Sequence, residues 1–228
     1  MQKSPHIREF SKHFLQYEKY SFLQKKVAKH LLSKINHDKK NILDLGCGNG
    51  LVYSHIKCDY DKFIALDFSN KMLQIHPKND KVKLVEKNFD DLDGDFFKSF
   101  DLVISSSSLQ WSKDITKIIK NIQENSKDFA LAVFCDKTFK DLRNWLEIDT
   151  FLPSSDEIVS VLHNYTTYEK KIYKIEFRDV ISQLRYIKKS GVSGGVKKLS
   201  VKKLRDFIKN YDKKELEFEV LFIWSKTL

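Results

Sequence analysis

The chain has 228 residues, is 41% hydrophobic and 32% charged, and carries a formal net charge of +10. This is enough apolar material for one well-buried α/β domain, and no apolar run approaches the roughly 18 residues of a membrane span. Cys47, Cys58 and Cys135 have no metal-ligand spacing, and no apolar signal region follows Met1-Gln2-Lys3, so reduced thiols in the cytoplasm and no metal centre are expected.

Leu23, Val27, Leu31 and Ile35 recur at helical spacing, predicting a helix that leads into the first strand. Strands are expected at 42–45, 63–67, 82–86, 100–105 and 129–135, with connections long enough for crossover helices. Such alternation predicts an α/β fold with a doubly wound, mostly parallel sheet, helices covering both faces. After Cys135, Thr138 is expected to cap a helix bearing Phe139, Leu142 and Leu146, and Ser155-Asp156 to open another. A strand at 166–177 precedes a helix through Val180, Ile181, Leu184 and Ile187. A glycine-rich break at 191–195, a helix through Leu204, Phe207, Ile208 and Tyr211, and a last strand at 216–224 complete seven strands.

The densest chemistry lies at Asn41-Ile42-Leu43-Asp44-Leu45-Gly46-Cys47-Gly48-Asn49-Gly50. A short buried strand ends near an acid, and alternate glycines let the backbone turn and approach a ligand. The second apolar run, Phe63-Ile64-Ala65-Leu66, also ends in an acid, Asp67. A glycine turn behind the first strand, with a carboxylate at the tip of the second, is how a doubly wound sheet holds a ribose-bearing cofactor. A dinucleotide fingerprint would place its third glycine where Leu51 stands; Gly46, Gly48 and Gly50 give G-x-G-x-G instead.

That spacing resembles the first motif of class I S-adenosylmethionine-dependent methyltransferases. Three further segments are Phe10-Ser11-Lys12-His13-Phe14-Leu15-Gln16-Tyr17-Glu18, the run from Phe100 to Leu109-Gln110-Trp111, and Leu184-Arg185-Tyr186-Ile187-Lys188-Lys189-Ser190-Gly191-Val192. Together they resemble the malonyl-acyl-carrier-protein O-methyltransferases of biotin synthesis. The resemblance implies a Rossmann-like fold with N-terminal helices and a helical insertion after the fifth strand. It also implies one methyltransferase domain, 1–228, with a lid at 1–40, a cofactor core at 41–137 and substrate-side helices and closing strands at 138–228. The chain departs from the family at Asn88, where an acid is common, and at Ser106, where asparagine is common. An amide accepts a weaker, uncharged hydrogen bond than a carboxylate.

On this resemblance, S-adenosylmethionine is bound by Gly46, Gly48 and Gly50, with Asp44 orienting the turn and attracting the cofactor's amino group; a strand-end cap is the other role open to Asp44. Asp67 accepts the ribose hydroxyls. Phe68 and Met72 flank the adenine, though Met72 at helical spacing fits the core equally. Asn88 and Phe89 meet the adenine edge. Ser105 and Ser106 face the methionine part, although a four-serine run also fits a turn that supplies helix caps. Lys12 and Tyr17 fold over the cofactor, and Tyr17 reaches the substrate as well. Trp111 is either a substrate wall or core. Arg143 and Arg185 are the expected clamps for a substrate carboxylate, because a planar guanidinium matches that group; surface ion pairing is the alternative for each.

No general base is expected, since a malonyl half-acid is already ionised at neutral pH. Lys188, Lys189, Lys197, Lys198, Lys202, Lys203, Arg205 and Lys209 hold much of the positive charge. They read either as a face for acidic acyl carrier protein or as solvated surface. Basic charge also fits nucleic acid, but no Asn-Pro-Pro-Tyr-type segment follows the fourth strand. Neither nucleic acid nor a membrane is expected as a partner.

Overall fold

The computed structural model describes residues 21–35, 39–190 and 200–226. The elements run α1 (Phe22–Leu32), β1 (Asn41–Leu45), β2 (Lys62–Asp67), α2 (Asn70–Ile75), β3 (Val82–Glu86), α3 (Gly94–Phe97) and β4 (Leu102–Ser106). They continue with α4 (Ile115–Asn125), β5 (Phe129–Phe134), α5 (Lys140–Leu146), α6 (Ser155–Ser160), β6 (Thr166–Glu176), α7 (Val180–Ser190), α8 (Val201–Asn210) and β7 (Glu215–Ser225).

The seven strands form one sheet in the order β3-β2-β1-β4-β5-β7-β6, parallel except where β7 runs antiparallel to both its neighbours. The chain winds outward from β1 in one direction through β2 and β3, then returns to its other side with β4. The crevice between β1 and β4, outside their carboxyl ends, is where such a sheet binds ligands. In-register pairs such as Leu45↔Leu66 and Asp44↔Ile104 bring the strand ends level there.

Alternation along each strand divides the core in two. Ile42, Phe63, Ala65, Ile104 and Ala132 face Leu23, Val27 and Leu31 of α1, together with apolar residues of α5, α7 and α8. Leu43, Leu45, Leu66, Val103 and Val133 face Ile118, Ile119 and Ile122 of α4 and Ile158 of α6. The central strands are buried on both faces, which is why they read as continuous apolar runs. The outer strand β6 alternates half-buried with exposed residues because only one of its faces is covered.

Two expectations are corrected. The β1–β2 connection holds a single 3₁₀ turn, Tyr53–His55, in place of a crossover α-helix. The Ser54 amide makes a helix-type bond to the Gly50 carbonyl at 2.9 Å and the Ile56 amide one to the Val52 carbonyl at 3.0 Å, but the extended backbone of Ile56 (ψ 137°) ends the coil after that one turn. Thr138 is not a helix cap. Its hydroxyl exchanges bonds with the backbone of Glu219 on β7, accepting at 3.2 Å and donating at 3.3 Å. The helix starts after Phe139, whose left-handed backbone (φ 57°) re-aims the chain. The glycine-rich break at 191–195 lies outside the described residues.

Candidate active site

The crevice is assembled from three strand ends. Behind β1 the chain turns through Gly46 (φ +68°), Gly48 (φ +54°) and Gly50 (φ +86°). The Gly46 and Cys47 amides both donate to the Leu66 carbonyl, at 2.8 and 3.0 Å, which sews the turn to β2. A Cβ on Gly46 would stand 2.4 Å from Ser108 Cβ, so only glycine fits. At Gly48 nothing lies within 4 Å of the same position: the backbone faces open space there.

Asp67 closes β2. Its Oδ2 accepts from the Gly48 amide at 2.9 Å and its Oδ1 from the Ser69 amide at 2.8 Å. Burial pushes its carboxyl above the usual range, and these two backbone bonds oppose that shift. Asp44 is 1% exposed, and neither of its carboxylate oxygens has a hydrogen-bond partner among the described residues. Burial, and secondarily the charge of Asp67, push its carboxyl up to about 8.

The serines after β4 separate into two pairs. Ser105 and Ser108 place their hydroxyls 2.8 and 2.7 Å from the Leu45 carbonyl oxygen and 2.6 Å from each other, clasping β4 to β1. Ser106 and Ser107 line the crevice, and their hydroxyls are buried without partners among the described residues. Ser107 adopts φ +62°, a backbone region that non-glycine residues rarely enter. Opposite the glycine turn, Trp111 lines the crevice and stacks on Phe151 at 5.1 Å with 14° between the rings.

Gly46, Gly48, Asp67, Phe68, Met72, Ser106 and Trp111 therefore meet around one crevice. Met72 is at once crevice wall and buried side chain, so the two roles open to it coincide. Phe89 is buried, with its ring edge 3.7 Å from where a Gly46 Cβ would stand, and backs the turn. Gly50 serves the turn by packing: a Cβ there would lie 2.6 Å from Pro77.

Other expected residues lie elsewhere. Asn88 caps the 3₁₀ turn Phe89–Asp91 by accepting from the Asp90 amide, and is not among the described lining residues. Ser105 spends its hydroxyl on the clasp instead of facing the crevice. Arg143 donates through Nε to the Thr138 carbonyl at 3.0 Å and through its terminal nitrogen to the Asp136 carbonyl. A half-buried guanidinium satisfied by loop carbonyls is a strut, not a clamp. Arg185 is exposed on α7. No Lys or Arg occurs among the described residues that line the crevice. Lys12 and Tyr17 lie outside the described residues. Sequence reasoning passed over Ser107, Ser108 and Phe151, although all four serines stand in the Ser105–Ser108 run it singled out.

A methyltransferase-domain family model matches residues 12–169. Among curated relatives, the malonyl-[acyl-carrier protein] O-methyltransferase of Bacillus anthracis is 29% identical over 59% of this chain and 54% of its own length. The chain thus spans about half of that relative. The enzyme of the same name from Anoxybacillus flavithermus is 22% identical over 82% of this chain and 81% of its own. Among solved structures, the YcgJ protein of Bacillus subtilis superposes with a TM-score of 0.63 at 14% identity, covering 88% of this chain and 98% of that one, a likeness of fold.

The crevice fits the cofactor such a family uses. Asp44 is not itself among the described lining residues, but two residues before Gly46 it is a buried carboxyl with no partner among the described residues, and a cation or donors nearby would favour its ionised form. The open space at Gly48 admits a ligand against the backbone, and Asp67 retains acceptor capacity beyond its two amide bonds. Asp44, Asp67, Phe68, Met72 and the glycine turn would hold S-adenosylmethionine, which supplies an electrophilic methyl group when bound. No group of His, Cys, Asp and Glu suited to a metal ion occurs among the described residues. With its family model covering most of the sequence, its seven-stranded sheet and this crevice, the chain belongs to the methyltransferase-domain family, with S-adenosylmethionine as the cofactor.

Proposed function

We propose that the chain methylates the free carboxyl of a malonyl thioester carried on acyl carrier protein, as a cytoplasmic step in biotin synthesis. The observation that carries this reading is that curated relatives at 22–30% identity bear the name malonyl-[acyl-carrier protein] O-methyltransferase. The chemistry suits the crevice. An ionised carboxylate is already a nucleophile, so the site needs alignment and hydrogen-bond donors, and proximity alone contributes roughly 7–11 kcal/mol. Lys188 on α7 and Lys202, Arg205 and Lys209 on α8 are exposed, and such positive charge would steer an acidic carrier at low salt. Within this reading the chain is one domain in which 1–40 closes over the cofactor, 41–137 binds it and 138–228 selects the acceptor. No helix of the described residues is long and apolar enough to cross a membrane, and neither membrane nor nucleic acid is a partner in this reading.

One observation favours a second reading. The Trp111–Phe151 stack is a flat aromatic wall, and neither candidate Arg belongs to the described crevice lining. Both features suit an aromatic acceptor such as a quinone precursor. Methyl transfer from labelled cofactor should be compared on malonyl-acyl carrier protein, malonyl-coenzyme A and a phenolic acceptor. Transfer to the malonyl carrier is expected. Transfer to the phenol alone establishes the second reading. Cofactor binding with no transfer to any of the three points to a non-catalytic role.

A further inference from the structure

Ser107 is the one non-glycine residue of the described crevice lining that holds a left-handed backbone, at φ +62°. Glycine or asparagine would adopt that conformation at lower cost. The conformation is fixed from two sides: the Ser107 amide donates to the Ala132 carbonyl at 2.8 Å, and its carbonyl accepts from Gln110 Nε2 at 2.8 Å. The side chain so placed carries a hydroxyl without a partner, as does that of Ser106 beside it. Ser105, two residues before it, and Ser108, the next residue, have theirs engaged. Strain and an orphaned polar group coincide at one residue. Such coincidences mark sites where a ligand completes the structure.

We propose that the Ser107 hydroxyl, with Ser106 beside it, is the donor that holds the acceptor's nucleophilic carboxylate oxygen and thereby selects a carboxylate-bearing substrate. This rests on the malonyl reading and fills the place that Arg143, tied to the Asp136 and Thr138 carbonyls, leaves open. In the transfer, a carboxylate oxygen forms a bond to the methyl carbon. The carbon–sulfur bond breaks with its electron pair left on sulfur, and no proton moves. The oxygen's negative charge is consumed along the way, so a cation gripping it would stabilise the ground state more than the transition state. A neutral hydroxyl orients the oxygen and quenches it less.

The test uses the full chain with Ser107→Ala, which keeps Cβ and loses the hydroxyl, and Ser107→Gly, which also relaxes the backbone. Both variants should raise the KM for malonyl-acyl carrier protein about tenfold while leaving the calorimetric Kd for the cofactor within twofold. Both should also lose the wild-type preference for binding malonyl- over acetyl-loaded carrier, a readout that a purely structural role would not move. The Ser107→Gly variant should melt no lower than wild type, which removes misfolding as an explanation. Unchanged KM and unchanged malonyl preference in either folded variant would overturn the assignment alone. A wild-type protein that neither methylates nor prefers the malonyl carrier would sink the malonyl reading and this proposal with it.

Discussion

The strand ends at β1, β2 and β4 and the region following β5 use their polar groups in opposite ways. Around the glycine turn, Asp44, Ser106 and Ser107 hold buried polar atoms with no hydrogen-bond partner among the described residues. Past β5, Arg143 is engaged by loop carbonyls, the Thr138 hydroxyl bonds the Glu219 backbone, and the Glu219 carboxylate accepts from the Lys137 amide and the Ser155 hydroxyl. The first region leaves several buried side-chain polar atoms unpaired beside the glycine turn. Among the described residues of the loop after β5, the second leaves one, Asp136 Oδ1, and spends the rest of these groups on its own loop and β7. A charged residue near a crevice is therefore a poor guide to binding until its own partners are known.

The strongest way to break this contrast is Gly46→Ala. A methyl group 2.4 Å from Ser108 Cβ, at φ +68°, must displace the β1–β4 clasp. We expect cofactor affinity to fall more than 100-fold, with a melting temperature several degrees lower, read by calorimetry and thermal denaturation. Retained affinity would show that the turn tolerates rearrangement.

Asp44→Asn sharpens it. The folded carboxyl, raised to about 8 from an ordinary value of 3.8, holds a proton between those pH values that the unfolded chain has released. Asp44 therefore costs stability increasingly as pH rises from about 4 to 8. Ligand-free Asp44→Asn should melt higher than wild type, with the gap widening towards pH 8. A cationic ligand favours the ionised form, so wild-type cofactor affinity should rise with pH and level off near 8. The variant should bind at least tenfold more weakly and lose that slope.

Arg143→Ala probes the other region and has the smallest effect on function. Losing the bonds to two loop carbonyls should cost about 1–3 kcal/mol of stability, seen in chemical denaturation. The KM for the acceptor should stay within twofold, and Arg185→Ala should match wild type in both measurements. A tenfold rise in acceptor KM for either variant would restore a carboxylate clamp on that side.

The strands were legible because both-face burial leaves unbroken apolar runs, and those at 42–45, 63–67 and 82–86 fall within one residue of the observed ends. Connections were less so. The coil after Gly50 stops after one turn because the backbone of Ile56 is extended, which composition does not reveal. In the crevice, Asp67 and the glycines could be read because their roles follow from backbone position at the tips of β1 and β2. Arg143 could not, since its partners are carbonyls whose direction exists only after the loop has folded. Ser107 lay hidden for a related reason: in a run of four like residues, only the backbone angle and the bonding of its neighbours single one out.

The clasp of Ser105 and Ser108 on the Leu45 carbonyl also bears on motion. Two hydroxyls on one buried oxygen lock the seam between β1 and β4, where the crevice has its floor. Widening that seam would strand all three groups at once. The floor should thus behave as a rigid bench, identical with and without ligand. Any adjustment to guests of different size falls to lining residues outside this clasp, among them Trp111, which meets Phe151 ring on ring.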